Sequence, residues 1–162
     1  MPATNSTIVI YGTHLDVTDA SEATRLEQIQ TILERANKDT QQDKQVIIMG
    51  DMNAIDPEDY RYFVSDSDQY EQQQALTYVD AAHEAYFSVK PANLVSQQMK
   101  NAGFQDCFEF SKQQRPLWTT WTGTRVDRIY VSKNWQHKIQ CYPYVSGISD
   151  HLPLIMDIDC TQ

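Results

Sequence analysis

The sequence predicts a single domain of mixed α/β architecture, and three observations support this prediction. The chain has 162 residues, which is enough for one domain with a hydrophobic core but short for two. It begins with the pattern strand, helix, strand, which is typical of a β-α-β unit. After Gly103 it reads as a series of short strands separated by turn residues.

The β-α-β unit begins with a strand predicted at residues 7–15, where β-branched and aromatic side chains predominate. The next helix has Asp19 as its predicted N-cap and Glu22 as the second member of a capping box, and it is expected to end at residues 37–39. Its core-facing side is an apolar stripe at helical spacing, formed by Leu26, Ile29, Leu33 and Ala36. Residues 46–49 are a short apolar run, which is typical of a buried strand.

The rest of the chain predicts one more helix and further strands. Residues 56–80 are rich in acidic residues, Gln and Tyr, and they predict a solvated excursion. A helix is predicted between Pro91 and Gly103, because these residues suit its first turn and its C-terminal cap. The later strands are predicted at residues 104–110, 118–121, 126–132, 138–145 and 154–158.

Charge and hydropathy exclude some classes of protein. The chain has 13 Lys and Arg against 22 Asp and Glu, a formal net charge of -9, which disfavours binding of polyanions such as nucleic acid. No apolar run reaches the roughly 18 residues that a membrane-spanning helix needs, and the N-terminal segment lacks the pattern of a signal peptide. The compartment is left open between the cytoplasm and, if a longer parent chain carries a signal, export.

The cysteines follow no recognisable framework. Cys107, Cys141 and Cys160 show no CxxC spacing, and their number is odd. We expect buried or incidental thiols here, because free Cys packs as a small apolar side chain.

Side chains capable of chemistry recur at the ends of the predicted strands; they are His14, Asp51, Asn53, Asp127, Asp150 and His151. Ligands collect at strand ends in open α/β sheets, so we expect these side chains to converge. Asp, Asn and His without a thiolate suit a hard cation, Mg²⁺ or Mn²⁺, and a phosphate. Each residue also has a structural interpretation: His14 as a hydrogen-bonded histidine, residues 50–53 as a turn, and Asp127 as the ion-pair partner of Arg125 or Arg128.

Four motifs carry a resemblance to a known family: GTHL at 12–15, GDMN at 50–53, RVDRIY at 125–130 and SDHLP at 149–153. In this order they resemble the endonuclease/exonuclease/phosphatase (deoxyribonuclease I-like) superfamily. The resemblance implies an α/β fold, a β-sandwich flanked by helices. It also implies a metal-dependent phosphoesterase, which hydrolyses a phosphate mono- or diester with an activated water.

The same resemblance implies roles for the residues at the motif positions. The implied catalytic residues are His14, Asp51, Asn53, Asp127 and His151. His151 would bond to Asp127 through one ring nitrogen and direct the other at the substrate phosphate or the attacking water. Mg²⁺ or Mn²⁺ would be held by Asp150, Asp51 and Asn53.

The sequence departs from the family pattern in one respect. Complete members have a further segment before the strand that ends in the first motif, with a Glu that is a principal metal ligand. Residues 1–162 thus resemble the C-terminal half of the fold, an incomplete sandwich whose N-terminal half is absent. We expect the missing half, or self-association, to cover an exposed apolar sheet face, and we expect weak or no activity from this chain alone.

Two functional alternatives are left open. One is the phosphoesterase, and the other is a catalytically silent member of the fold, which would act as a phosphate-ligand-binding or interaction module. If the chain is an enzyme, its acidity favours a phosphoinositide, a phospholipid head group or a small phosphoester over nucleic acid. Aromatic residues between 60 and 87 could form a substrate-reading lip or a local core. His83 and His137 match no motif and are predicted to be structural or exposed.

Overall fold

The computed structural model describes residues 7–19, 21–56, 94–110, 118–120, 124–145 and 147–160. Within these ranges the chain forms a four-stranded mixed sheet and a two-stranded antiparallel sheet. The predictions for the segment between 57 and 90, for His83 and for a helix start at Pro91 lie outside the described residues.

The predicted β-α-β unit is present. It consists of β1 (Ile8–His14), α1 (Ala23–Thr40) and β2 (Gln45–Asp51), and β1 pairs with β2 in parallel. Successive side chains of β2 point to opposite faces of the sheet, and both faces are covered. Val46 packs on the helix side and Ile47 on the side of the second sheet, which explains the continuous apolar run in this strand.

The predicted capping box of α1 is wrong for Glu22, whereas the Asp19 carboxylate does accept the N–H of Thr24 in the first turn, at 2.7 Å. The helix begins at Ala23, and Glu22 adopts a left-handed conformation with φ 62. Its carboxylate turns away from α1 and accepts the backbone N–H groups of Leu94 and Val95, at 3.0 and 3.4 Å. The first N–H groups of a helix have no partner inside that helix. The Glu22 side chain therefore caps the helix that contains Leu94 and Val95, and not α1, which follows it in the sequence.

The second half of the described chain begins with α2 (Leu94–Asn101) and continues with β3 (Phe104–Asp106) and a 3₁₀ turn (Cys107–Phe110). The strand predicted at 104–110 is therefore too long. It stops at Asp106 because the carboxylate of Asp106 accepts the N–H of Phe108, which turns the chain. In the described part of the strand predicted at 118–121, only Thr120 forms a bridge, which pairs it with His151.

Three further strands are β4 (Asp127–Ser132), β5 (Lys138–Pro143) and β6 (Leu154–Asp159). The larger sheet has the order β1-β2-β4-β3, with β4 antiparallel to both of its neighbours. The smaller sheet pairs β5 with β6. These strands agree with the predicted ones to within two residues at each end.

Two clusters of buried residues lie on opposite faces of the larger sheet. On one face α1 and α2 pack through Ile29, Leu33, Val95 and Met99. On the other face β5 and β6 pack against Ile47, Ile129 and Val131. The arrangement is a sandwich of two sheets with helices outside, as the resemblance implied.

The expectation of free thiols is wrong for two of the three cysteines. Cys107 in the 3₁₀ turn and Cys141 in β5 form a disulfide, whereas Cys160 is free and exposed. The two partners are 34 residues apart, and only the packing of the second sheet against the first brings them together. The bond therefore joins the two layers of the sandwich covalently.

Part of the sandwich interior is open in the described residues. Ile10 and Met49 share a face with Ile8 and Ile47, yet they are 60% and 36% exposed. Ile148, which lines the same cleft as Met49, is 95% exposed. The exposed apolar face is thus present at the β1 and β2 side. Its cover, whether a further polypeptide segment or a second copy, stays a prediction.

We expect removal of the disulfide to destabilise the chain. The change Cys107→Ala with Cys141→Ala should lower the free energy of unfolding by roughly 3 to 4 kcal/mol, because the unfolded chain regains the freedom of a long loop. Urea denaturation measures this difference. Cys160→Ser is the matched control and should leave the midpoint unchanged; three free thiols in the denatured, unreduced wild type would contradict the expectation.

Candidate active site

The register of the larger sheet places three of the predicted site residues side by side. His14 pairs with Asp51 across β1 and β2, and Asp51 pairs with Asp127 across β2 and β4. Neighbouring strands lie about 4.8 Å apart, so three side chains in one cross-strand row project from the same face. Because β4 runs antiparallel, its first residue meets the last residues of β1 and β2.

His151 completes this group from the segment before β6. Its Nδ1 lies 2.8 Å from Oδ2 of Asp127, and its Nε2 lies 3.9 Å from Oδ2 of Asp51. The Nε2 of His14 lies 3.7 Å from the same oxygen of Asp51. A carboxylate only accepts hydrogen bonds, so Nδ1 of His151 is the protonated nitrogen and donates to Asp127. The two imidazoles and Asp51 thus border one space.

Gly50 allows Asp51 to reach this position. Its φ is +138, and a Cβ atom there would lie only 1.8 Å from the carbonyl oxygen of Thr13. Only glycine permits so close an approach of β1 and β2. The register at the site therefore depends on the absence of a side chain at position 50.

Asn53 fixes the turn that follows β2. Its backbone N–H donates to Oδ1 of Asp51 at 2.8 Å, and its side-chain amide donates to the carbonyl of Leu15 at 2.9 Å. Asn53 itself has φ 45, a conformation that Asn tolerates better than most residues. These contacts hold one oxygen of Asp51 and leave the other facing the imidazoles. A role of Asn53 toward phosphate or metal stays a prediction.

The structural interpretation of Asp127 as an ion-pair partner of Arg125 or Arg128 is wrong. Arg125 donates to Oδ1 of Asp106 at 2.6 Å, and Arg128 donates to its Oδ2 at 3.0 Å. All three side chains of this cluster are buried. Burial alone would raise the pKa of Asp106, but the two guanidinium charges and their hydrogen bonds lower it to about 2.

Two residues that support the site were missed from the sequence. No motif or spacing in the sequence indicates that Asp106 would bind both arginines. Thr119 accepts the backbone N–H of Asp127 with its hydroxyl at 3.0 Å. A threonine in a tract of polar and aromatic residues has no spacing pattern that would predict this contact.

The charges of the site act on one another. Burial alone would lower the pKa of His151, but the hydrogen bond and charge of Asp127, with Asp51 and Asp150, raise it overall. Burial raises the pKa of Asp51, and the charge of Asp127 adds to this, while the Asn53 amide and the two imidazoles act in the opposite direction. Each shift favours the protonated form of the group on which it acts.

The donor set fits a divalent cation. Asp51, Asp127 and His151 each offer one ligand atom, and these atoms lie within 4.8 Å of one another. The two carboxylates suit Mg²⁺ or Mn²⁺, and the third donor is an imidazole nitrogen. Asp150 is exposed beside His151, and neither it nor Asn53 belongs to this cluster, so their predicted metal roles stay predictions.

A cleft of about 330 Å³ adjoins the site. Asp127 and His151 line its polar end. Its apolar wall is formed by Met49, Ile129, Ile148, Leu152, Pro153 and Leu154. A ligand in contact with both Asp127 and His151 would place its remaining groups in or near this cleft.

The geometry agrees with a comparison of the sequence with known families. The profile of the Endonuclease/Exonuclease/phosphatase family matches residues 4–151. The chain belongs to this family. The family match confirms the predicted resemblance. A search of curated proteins found no match.

Solved structures of the same fold also match. A functionally unknown conserved protein from Enterococcus faecalis V583 has 20% identity and a TM-score of 0.62, with 98% of this chain and 52% of that chain covered. The mannosyl-6-phosphatase Bt3783 of Bacteroides thetaiotaomicron VPI-5482 has 15% identity and a TM-score of 0.51, with 93% and 50% covered. Truncated TDP2 from Caenorhabditis elegans has 18% identity and a TM-score of 0.51, with 93% and 53% covered. The chain spans about half the length of each of these structures.

In the part of the chain that the structure describes, no helix has the length and apolar character to cross a membrane.

The two strand glycines near the site provide a matched test of the register. Gly50→Ala should lower the free energy of unfolding by at least about 2 kcal/mol, because its methyl group would overlap the carbonyl of Thr13 and force a strained backbone. At Gly12 no atom lies within 4 Å of an added Cβ atom. Gly12→Ala should therefore change the free energy of unfolding by less than about 0.5 kcal/mol. Urea denaturation measures both; equal effects would contradict the proposed close approach.

The buried Asp106 predicts loss of stability in acid. Its folded-state pKa is depressed, so its contribution is complete above the pKa of an unfolded Asp, about 3.9. The contribution is then lost as the pH falls towards the folded-state value of about 2. Asp106→Asn should remove this acid dependence and destabilise by about 3 to 5 kcal/mol, since it removes the buried carboxylate that pairs with both arginine side chains.

Urea denaturation between neutral and acidic pH measures this effect. Asp157→Asn is the control, because Asp157 is exposed on β6 and should change stability by less than about 0.5 kcal/mol. An Asp106→Asn variant as stable as the wild type would show that the cluster of Asp106, Arg125 and Arg128 does not stabilise the fold.

Proposed function

We propose that this chain carries the acid-base half of a divalent-metal-dependent phosphoesterase, in which water attacks a phosphate mono- or diester. The observation that carries the proposal is the 2.8 Å contact between His151 Nδ1 and Asp127, with Nε2 of the same ring turned towards Asp51. Membership of a family of nucleases and phosphatases supports the reaction class.

In this reaction His151 transfers a proton at Nε2. The other ring proton stays on Nδ1, where Asp127 accepts its hydrogen bond. Asp127 thereby orients the ring and stabilises the imidazolium when it forms. Asp51 lies 3.9 Å from Nε2, a gap in which both groups can contact a water or a phosphate oxygen. Asp51 orients the attacking water and shares the role of base with His151.

His14 lies on the opposite side of Asp51 from His151. Its side chain is 71% exposed, so it can reach a bound phosphate or leaving group without moving other residues. A bound Mg²⁺ or Mn²⁺ would neutralise the charge that develops on the phosphate. Asp51, Asp150 and Asn53 are the proposed ligands, and Asp51 also belongs to the cluster of converging donors.

The substrate proposed for this site is a small phosphoester, a phosphoinositide or a phospholipid head group. The net charge of -9 opposes approach of a long polyanion. The apolar wall of the adjoining cleft favours an ester with a less polar group next to its phosphate. Weak turnover is expected, because the chain spans about half of the solved structures it matches.

The test is hydrolysis of p-nitrophenyl phosphate and bis(p-nitrophenyl) phosphate with Mg²⁺ or Mn²⁺, against a chelator. We expect metal-dependent release of nitrophenol, and His151→Ala or Asp51→Ala should reduce it by about 10²- to 10⁴-fold, as for other acid-base residues. His137→Ala is the matched control, since this imidazole contacts Gln45 and Trp135 away from the site.

Equal rates in wild type and His151→Ala would contradict the proposal. Calorimetric titration with Mn²⁺ distinguishes the alternative function. Binding of the metal and of inorganic phosphate without any turnover would favour a phosphate-binding module over an enzyme.

A further inference from the structure

Thr119 lies between the two halves of the candidate catalytic pair. It is buried, with 1% of its surface exposed, and it belongs to neither sheet. Asp127 begins a strand of the larger sheet, whereas His151 precedes a strand of the smaller one. From its contacts with both segments, we infer that Thr119 is the positioning residue that sets the distance between Asp127 and His151.

The hydroxyl of Thr119 holds the Asp127 side. Its Oγ1 accepts the backbone N–H of Val126 at 3.1 Å and that of Asp127 at 3.0 Å. These are the amides at the entry to β4, where the chain turns into the sheet. Two hydrogen bonds to one oxygen fix the backbone from which the Asp127 carboxylate projects.

The backbone of Thr119 holds the His151 side. Its carbonyl accepts the N–H of Leu152 at 2.7 Å, and the next residue, Thr120, forms an antiparallel bridge with His151. The N–H of Thr119 donates to the carbonyl of Thr124 at 2.9 Å. Thr119 therefore binds the backbone of Asp127 directly and holds the backbone next to His151 through Leu152.

The hydroxyl is the part of Thr119 that a substitution can remove cleanly. Valine has nearly the same shape but no acceptor, so it leaves the two amides at the start of β4 without this partner. Serine retains the acceptor. Thr120→Val is a matched control, because it removes a neighbouring buried hydroxyl that bonds to Thr124 and leaves the Thr119 hydroxyl in place.

The readout is the tautomer of His151, measured by NMR of its ring nitrogens on isotope-labelled, metal-free chain at a pH where the ring is neutral. His151→Gln identifies the signal. We expect the wild type, Thr119→Ser and Thr120→Val to carry the ring proton at Nδ1, and we expect Thr119→Val to lose this signal. Retention of the Nδ1 proton in Thr119→Val, or its loss in Thr120→Val as well, would overturn the inference.

A second measurement does not depend on whether the valine variant folds. In the wild type, the amide protons of Val126, Asp127 and Leu152 should exchange with solvent at least about tenfold more slowly than unprotected loop amides. Unprotected exchange at all three would overturn the inference.

The inference rests on the proposed function for the role of His151, but the NMR readout needs neither substrate nor turnover. If Thr119→Val alters the tautomer and no variant alters hydrolysis, the proposed function fails and the positioning role stands. If hydrolysis behaves as proposed while Thr119→Val retains both tautomer and rate, only the positioning role fails. Where turnover is measurable, Thr119→Val should lower kcat with little change in KM, and Thr119→Ser should restore it.

Discussion

The register between β1, β2 and β4 is the constraint on which the candidate site depends. His14, Asp51 and Asp127 are neighbours only because each is the cross-strand partner of the next. A slip of β2 by one residue would turn Asp51 to the helix face of the sheet. Burial of β2 on both faces and the close approach at Gly50 both oppose such a slip.

A second constraint is the pairing of the charged side chains around Asp127. Arg125 and Arg128 flank Asp127 in the sequence and would be its nearest cations if they turned towards it. Asp106 binds both, in a buried cluster, and so leaves Asp127 to His151. The same carboxylate also ends β3, because it accepts the N–H of Phe108. Asp106 thus both turns the backbone and binds the two arginine side chains.

Much of the fold could be predicted because its signals are local. The apolar stripe of α1, the apolar run of β2 and the strands of the last third follow from side-chain periodicity and turn residues. The convergence at one sheet edge was expected from motifs at strand ends. What escaped prediction depends on distant contacts: the Cys107–Cys141 bond, the reach of Glu22 to α2 and the position of Thr119 between two sheets. None of these has a characteristic spacing in the sequence, since each arises from packing.

The bond between Cys107 and Cys141 has a practical meaning for any laboratory that handles this chain. It ties the 3₁₀ turn directly after Asp106 to the hairpin whose second strand follows His151. Protein prepared with a thiol reductant, or made in a reducing host, would lack this covalent tie between the layers. Two such preparations are chemically different molecules, and the redox history of a sample belongs beside every rate or melting temperature measured on it.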